Sequence, residues 1–186
     1  YIYQLERQII SILLKYGAEE ILFEDIILNK NEKGDIVESK KQIRSKVFEK
    51  IYLDLQQDEI EFTHGPFKEI YNKLINSLHN QKLVSIDSFI NDLEPNSSKI
   101  VSDILINDEK YQLHDWEKKN IYVKKIGSEL SQLVNETILN MRRYLIDKKI
   151  TELQDNSKDD KDEVLEEVMS YYSLKKLLSA KLNRVV

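Results

Sequence analysis

The stretch Ser128–Leu153 runs for 26 residues without a glycine or a proline, and no other feature narrows the fold as much. Its apolar positions Leu130, Val134, Thr137/Ile138, Met141, Leu145 and Ile150/Leu153 fall at near-heptad spacing, which predicts one amphipathic helix. Fully helical, such a segment is roughly 39 Å long, more than the diameter of a small domain. Asp155–Asp162 reads as a polar turn. Beyond it, Val164, Leu165, Val168, Tyr171/Tyr172, Lys175, Leu178 and Leu182 recur at spacings of three and four. Two long amphipathic stretches around one short polar turn predict a helical hairpin. Such a hairpin has two apolar faces and buries only one against itself. It must therefore dock its second face or present it to a partner.

Composition excludes most catalytic designs. Four glycines and two prolines in 186 residues are too few for an all-β chain that turns every ten residues or so. They also leave no Gly-rich phosphate loop, and neither a nucleotide nor a dinucleotide fingerprint is present. With no cysteine there are no disulfides, thiolate metal sites or Cys nucleophiles, a composition that suits a reducing cytoplasm. No apolar run approaches the ~20 residues of a membrane span. Tyr1 in place of an initiating Met is read as the start of a piece cut from a longer chain.

The formal charge of −5 is concentrated in Asp155–Glu167, which holds seven acids and two bases and leaves the rest of the chain balanced. Acids at the start of the last helix, with Lys175, Lys176, Lys181 and Arg184 toward its end, suit the helix dipole. A pI of about 5.4 gives no sign of the basic face that duplex binding requires.

The first part of the chain reads as a bundle of short helices. Leu5, Ile9, Ile12, Leu13 and Tyr16 form the inward stripe of a helix over Tyr3–Tyr16, with Glu6, Arg7 and Lys15 on other faces and Gly17 as its C-terminal cap. Ala18–Phe23 is read as one more short helical turn. Glu24–Lys40, with its polar centre Asn29–Asp35, fits a small hairpin or a loop and is treated as a loop. Ile43, Val47, Ile51 and Leu55 then predict a helix over about Lys40–Gln56. Pro66 opens the helix carrying Phe67, Ile70, Tyr71, Leu74, Ile75 and Leu78. Asp87 caps a short helix that Pro95 closes, and Ser97 or Ser98 opens the next, with Ile100, Val101, Ile104 and Leu105 inward. Asn107–Gly127 is read as irregular or partly helical around Tyr111, Leu113, Trp116, Ile121, Tyr122 and Val123. The expectation is an all-α chain: a compact multi-helix bundle over 1–127, followed by a long helix and C-terminal helical hairpin over 128–186.

Chemistry-bearing clusters are sparse. His64, His79 and His114 share no metal-ligand spacing. His114-Asp115 has no Ser or Lys nucleophile tied to it, and Trp116 is better read as a packing anchor between bundle and hairpin. The acids Asp155, Asp159, Asp160, Asp162 and Glu163 lack the central glycine of a calcium loop, so they are read as a solvated helix start. No catalytic, cofactor or metal residues are assigned.

Tyr3-Gln4-Leu5-Glu6-Arg7-Gln8-Ile9-Ile10-Ser11-Ile12-Leu13-Leu14-Lys15-Tyr16-Gly17 resembles the Q-E-R-D-I-I-R-L-L-L-x-Y-G opening of the C-terminal domain of bacterial replicative primases of the DnaG type, as in Bacteroidetes-like organisms. Asp58-Glu59-Ile60-Glu61-Phe62 ahead of the Phe67–Leu78 helix is also similar to that family. So are Leu113 to Trp116-Glu117-Lys118-Lys119 with Ile121-Tyr122-Val123, and the closing Leu174-Lys175-Lys176-Leu177-Leu178-Ser179. The likeness spans essentially the whole chain, and order and spacing carry it.

The resemblance implies a non-catalytic helicase-binding domain of the primosome. It would dock primase on the N-terminal domains of the hexameric DnaB-type replicative helicase during DNA replication, in the cytoplasm. The DNA-directed RNA polymerase core and the zinc-binding domain would lie upstream of Tyr1, and this domain would need no cofactor and no membrane. Local physics nominates Tyr171, Tyr172, Leu174, Leu178, Leu182 and Val185 as apolar anchors, with Lys175 and Lys181 as rim charges. Two alternatives stay open. One is an N-terminal-type domain of the helicase itself. The other is a helical nucleic-acid-binding module using Lys40, Lys41, Arg44, Lys46, Lys50 and Arg142-Arg143, which the balanced charge argues against.

Overall fold

The computed structural model describes residues 1–30, 36–80, 86–112, 123–156 and 161–183. Among these residues the fold is all-α apart from one two-stranded ribbon. Its elements are α1 (Ile2–Tyr16), β1 (Glu20–Lys30), β2 (Ile36–Lys46), α2 (Val47–Gln57), α3 (Gly65–His79), α4 (Ile86–Asn91), α5 (Pro95–Gln112), α6 (Val123–Asn156) and α7 (Lys161–Asn183).

The ribbon corrects the loop expected over Glu24–Lys40, the helical turn expected over Ala18–Phe23 and the helix start expected at Lys40. β1 and β2 pair antiparallel from Glu20 opposite Lys46 to Lys30 opposite Ile36. The reason lies in the periods. A spacing of four, as from Ile43 to Val47, returns to one face of a helix but is also two full strand repeats. Only Val47, Ile51 and Leu55 belong to α2, and all three are buried. At the base of the ribbon Phe23 is fully buried while Leu22 stands half exposed, the alternation of a half-buried strand.

The other boundaries shift for local reasons. Pro95 opens α5 instead of closing α4, because a helix's first turn has no use for the missing N–H. α5 continues through Tyr111 to Gln112, and α6 begins at Val123, so it runs through Gly127 and spans about 51 Å. Asp155 belongs to the last turn of α6, and Asp162 and Glu163 to the first turn of α7. Leu113, His114, Asp115, Trp116, Ile121, Tyr122, Asp159, Asp160, Arg184 and Val185, all singled out from the sequence, lie outside the described residues.

The bundle core gathers Ile9, Ile10 and Leu13 of α1, Phe23 of β1, Val47, Ile51 and Leu55 of α2, Phe67 and Ile70 of α3, and Val101 and Ile104 of α5. Leu130, Val134, Ile138 and Met141 of α6 complete it. The first half of α6 thus packs as part of the bundle core. A second, smaller core of Ile146, Ile150, Val168 and Leu178, with Leu139, Leu153 and Tyr171 against it, holds α6 to α7.

Glu6 does not lie on an outer face of α1. It is fully buried, and its carboxylate accepts hydrogen bonds from the Thr63 amide (2.6 Å), the Thr63 hydroxyl (2.8 Å) and the His64 amide (3.3 Å), with His64 Nδ1 at 2.6 Å. His64 is the N-cap residue of α3 and its own side chain caps nothing, so Glu6 supplies from α1 the anion that the N-terminus of α3 calls for. Glu69 of α3 does the same for α5. It accepts from the Glu94 amide (3.1 Å) and the Ser97 hydroxyl (2.5 Å), and Lys73 lies 3.1 Å away. Burial pushes the Glu69 carboxyl up, but the Ser97, Glu94 and Lys73 contacts outweigh it and hold the group below the ordinary carboxylate range.

Gly17 is the C-cap of α1, with an ordinary right-handed φ of −52°. Space, not backbone freedom, requires glycine: a Cβ there would lie 2.5 Å from the Leu13 carbonyl oxygen and 2.8 Å from Leu78 Cδ1 of α3. Gly17→Ala is expected to destabilise the domain by ~1–3 kcal/mol in urea unfolding, through overpacking. Glu6→Gln retains one acceptor oxygen but loses the charge and sets an NH2 donor where the other oxygen accepted, and the same assay should record a loss of ~1.5–3 kcal/mol. Because the folded Glu69 pKa is depressed, its contribution is full above the ordinary carboxylate pKa and is lost as pH falls through the lowered value. Glu69→Gln should accordingly lose less stability than the parent between neutral and acidic pH, read from midpoints across a pH series.

Candidate functional site

The hairpin owes its shape to α6. Within a few residues this helix passes from the bundle core, which ends at the fully buried Met141, to the hairpin core, which begins at Ile146. α7 packs against the distal half of α6, its one substantial packing partner among the described residues. Val168 and Leu178 are buried on that contact, and Tyr171 packs at its edge. Lys175 Nζ lies 2.5 Å from Asp147 Oδ1 and ties the two arms together.

Turned away from that contact, α7 carries apolar residues that are exposed. Leu165 (57 % exposed), Met169 (62 %) and Tyr172 (49 %) lie at i, i+4 and i+7, in line along the helix. Leu174 (44 %) and Leu177 (50 %) extend the exposure around the far flank. Isolated exposed leucines are ordinary, but five large apolar side chains exposed within four turns, three of them in line, leave the outward half of the helix apolar. Glu166 and Glu167 are exposed beside its N-terminal part and Lys176 beside its C-terminal part.

The structure separates the residues nominated from sequence. Tyr172 and Leu174 are on the outer surface. Tyr171 and Leu178 point into the hairpin core, Lys175 is committed to Asp147, and Leu182 is half-buried. Leu178, at 7 % exposure, packs in the hairpin core. Lys181 belongs to the last turns of α7, and Val185 lies outside the described residues. Sequence reasoning missed Leu165, Met169 and Leu177. The signal was available: once Val168, Tyr171, Lys175, Leu178 and Leu182 form the stripe toward α6, the residues roughly 100° away at Leu165, Met169 and Tyr172 must face outward.

His64 is occupied with Glu6, and His79 ends α3. Among the described residues no three or more His, Asp or Glu side chains gather so as to hold a metal ion. No described helix is long and apolar enough to cross a membrane. A shallow open groove lined by Leu55, Gln56, Glu59, Ile60 and Glu61 carries no acid–base pair positioned for chemistry.

Residues 1–185 match the family model described as Domain of unknown function (DUF8430). The chain belongs to this family. The match takes in bundle and hairpin together, so in DUF8430 the arm is part of the family unit and not an appendage to it. No curated protein and no solved structure matches the chain.

Proposed function

We propose that this DUF8430 domain is a non-catalytic docking module of a bacterial DNA primase. Its partner is the N-terminal region of a DnaB-type replicative helicase, and α7 supplies the contact. The observation that carries the reading is the outer surface of α7: Leu165, Met169, Tyr172, Leu174 and Leu177 exposed on a helix whose inner side is already used against α6. A helix of this kind matches helix-in-groove recognition, in which apolar anchors supply affinity and flanking charges set register.

The choice of partner rests on the resemblance of Tyr3–Gly17, Asp58–Phe62 and Leu174–Ser179 to the C-terminal domain of DnaG-type primases. The helical bundle with a long-armed hairpin is the architecture that the resemblance implies. In this reading the polymerase core lies elsewhere in a longer chain, the domain requires no cofactor, and it works in the cytoplasm.

A nucleic-acid-binding role is less well supported. Several of the cations it would use are committed to acids. Lys50 Nζ lies 2.9 Å from Asp54 Oδ2, Arg44 Nε lies 3.7 Å from Glu20 Oε1, and Arg142 binds Asp58. Across the ribbon, Lys46 stands opposite Glu20 and Lys41 opposite Asp25, while Lys40 stands opposite Ile26.

The test is a titration of the domain with the N-terminal region of the cognate helicase, by calorimetry and gel filtration. The parent should form a complex. Met169→Glu and Tyr172→Glu, both at exposed positions and so compatible with folding, should each weaken it about 30-fold, the ~2 kcal/mol of an interface anchor. Complex formation that ignores both substitutions would move the contact away from α7. Failure of the parent to bind would remove the helicase as partner, and a salt-sensitive DNA shift in its place would favour the nucleic-acid reading.

A further inference from the structure

The point where α6 leaves the bundle is gripped from two sides. Arg142 directly follows Met141, the last fully buried bundle-core residue of α6, with Leu145 packed against the edge of that core one turn on. Its Nε donates to Asp58 Oδ2, and its Nη2 lies 3.8 Å from Asp54 Oδ1. Asp54 is 9 % exposed and also accepts from Lys50 Nζ at 3.0 Å, so the four side chains form one network between α2 and α6. The acids stand on a stiff base. Asp58 is the C-cap of α2, and Glu59 follows with φ 53°, the left-handed conformation of a closing turn. The Ile60 amide then closes the turn on the Leu55 carbonyl at 2.9 Å, with Ile60 itself in the core.

On the other flank the Tyr1 hydroxyl donates to Asn140 Oδ1 at 3.3 Å, and the Tyr1 and Tyr144 rings lie 6.0 Å apart. At about 100° per residue, Arg142 and the Asn140/Tyr144 pair stand on nearly opposite sides of α6, with Met141 between them. The same arithmetic turns the hairpin-core residues Ile146 and Ile150 about 140–180° from Met141. The bundle therefore holds α6 by a face and two prongs, and α7 hangs from a different face further along.

We propose that Arg142 is a positioning residue: with Asp58 and Asp54 it fixes the angle at which the α6–α7 hairpin leaves the bundle. α7 has no other substantial packing partner among the described residues, so the stiffness of α6 and this grip set where its outer surface points. The partly buried ion pairs exclude enough solvent to resist screening better than surface pairs do. The orientation matters for docking only if the docking reading above holds, and the test separates the two.

The chain has no cysteine, so paired labels can be placed cleanly. Nitroxides at Asn72→Cys on α3 and Ser170→Cys on α7, both exposed positions, report the bundle-to-arm distance in the full chain by pulsed electron resonance. The parent should give one narrow distribution. Arg142→Gln, and independently Asp58→Asn, should broaden it about twofold at unchanged helicity, with Arg142→Lys in between. An unchanged distribution in both variants would overturn the proposal, whatever the helicase titration gives. If the arm is competent about one-tenth of the time in Arg142→Gln, helicase affinity falls about tenfold. Broadened distances with undiminished affinity would overturn the positioning role in docking. Broadened distances in a protein whose parent never binds helicase would sustain the grip and remove the docking reading.

Discussion

A fully buried carboxylate holds the bundle in register. Glu6 stands inside the protein among Ile9, Ile10 and Leu13, where an unpaired charge would be costly, and every donor that satisfies it comes from the turn leading into α3. It therefore does two things at once. It neutralises the N-terminal end of α3, and it fixes where along α1 that end must sit. Glu69 repeats the device one helix later, fixing the start of α5 against α3. Three helices are thus indexed to one another by carboxylates donated across the interface, while apolar packing supplies the bulk of the stability. Among the described residues no buried side-chain polar atom is left without a partner.

Much of this was legible in the sequence, and the failures share a cause. The helices with one clear apolar stripe, such as α1 and α3, read correctly from period alone. Where two periods coincide, as in the fourfold spacing across Ile43 and Val47, a strand passes for the start of a helix. Glu6 was misread although its phase announced it. Residues 6, 9, 10 and 13 share one face, so a charge there sits on the buried stripe and calls for a partner. Composition could not name that partner, because Thr63 and His64 reach Glu6 from 57 and 58 residues away.

The long helix hid its own division for a related reason. A near-heptad stripe drifts around an α-helix, so the residues facing the bundle and those facing α7 read as one continuous series. Only the contacts show that Met141 serves one core and Ile146 the other. The same ambiguity placed Tyr171 and Leu178 among the surface anchors: a stripe says which residues share a side, not whether that side is covered. Tyr172 and Leu174 are exposed, since neighbouring bulky residues cannot all turn inward.

The sharing of α6 between two cores has a consequence for how the domain comes apart. The bundle core is closed by α1, α2, α3, α5 and the first half of α6, and it does not need α7. The hairpin core rests on a handful of side chains, with Val168 and Leu178 as the buried contribution of α7. The two therefore behave as cooperative units of unequal depth, and local opening begins with the release of α7 and a fraying of α6 back toward Met141. Anything that covers the outer surface of α7 binds only the closed hairpin. By mass action it deepens the shallower unit and leaves the bundle as it was.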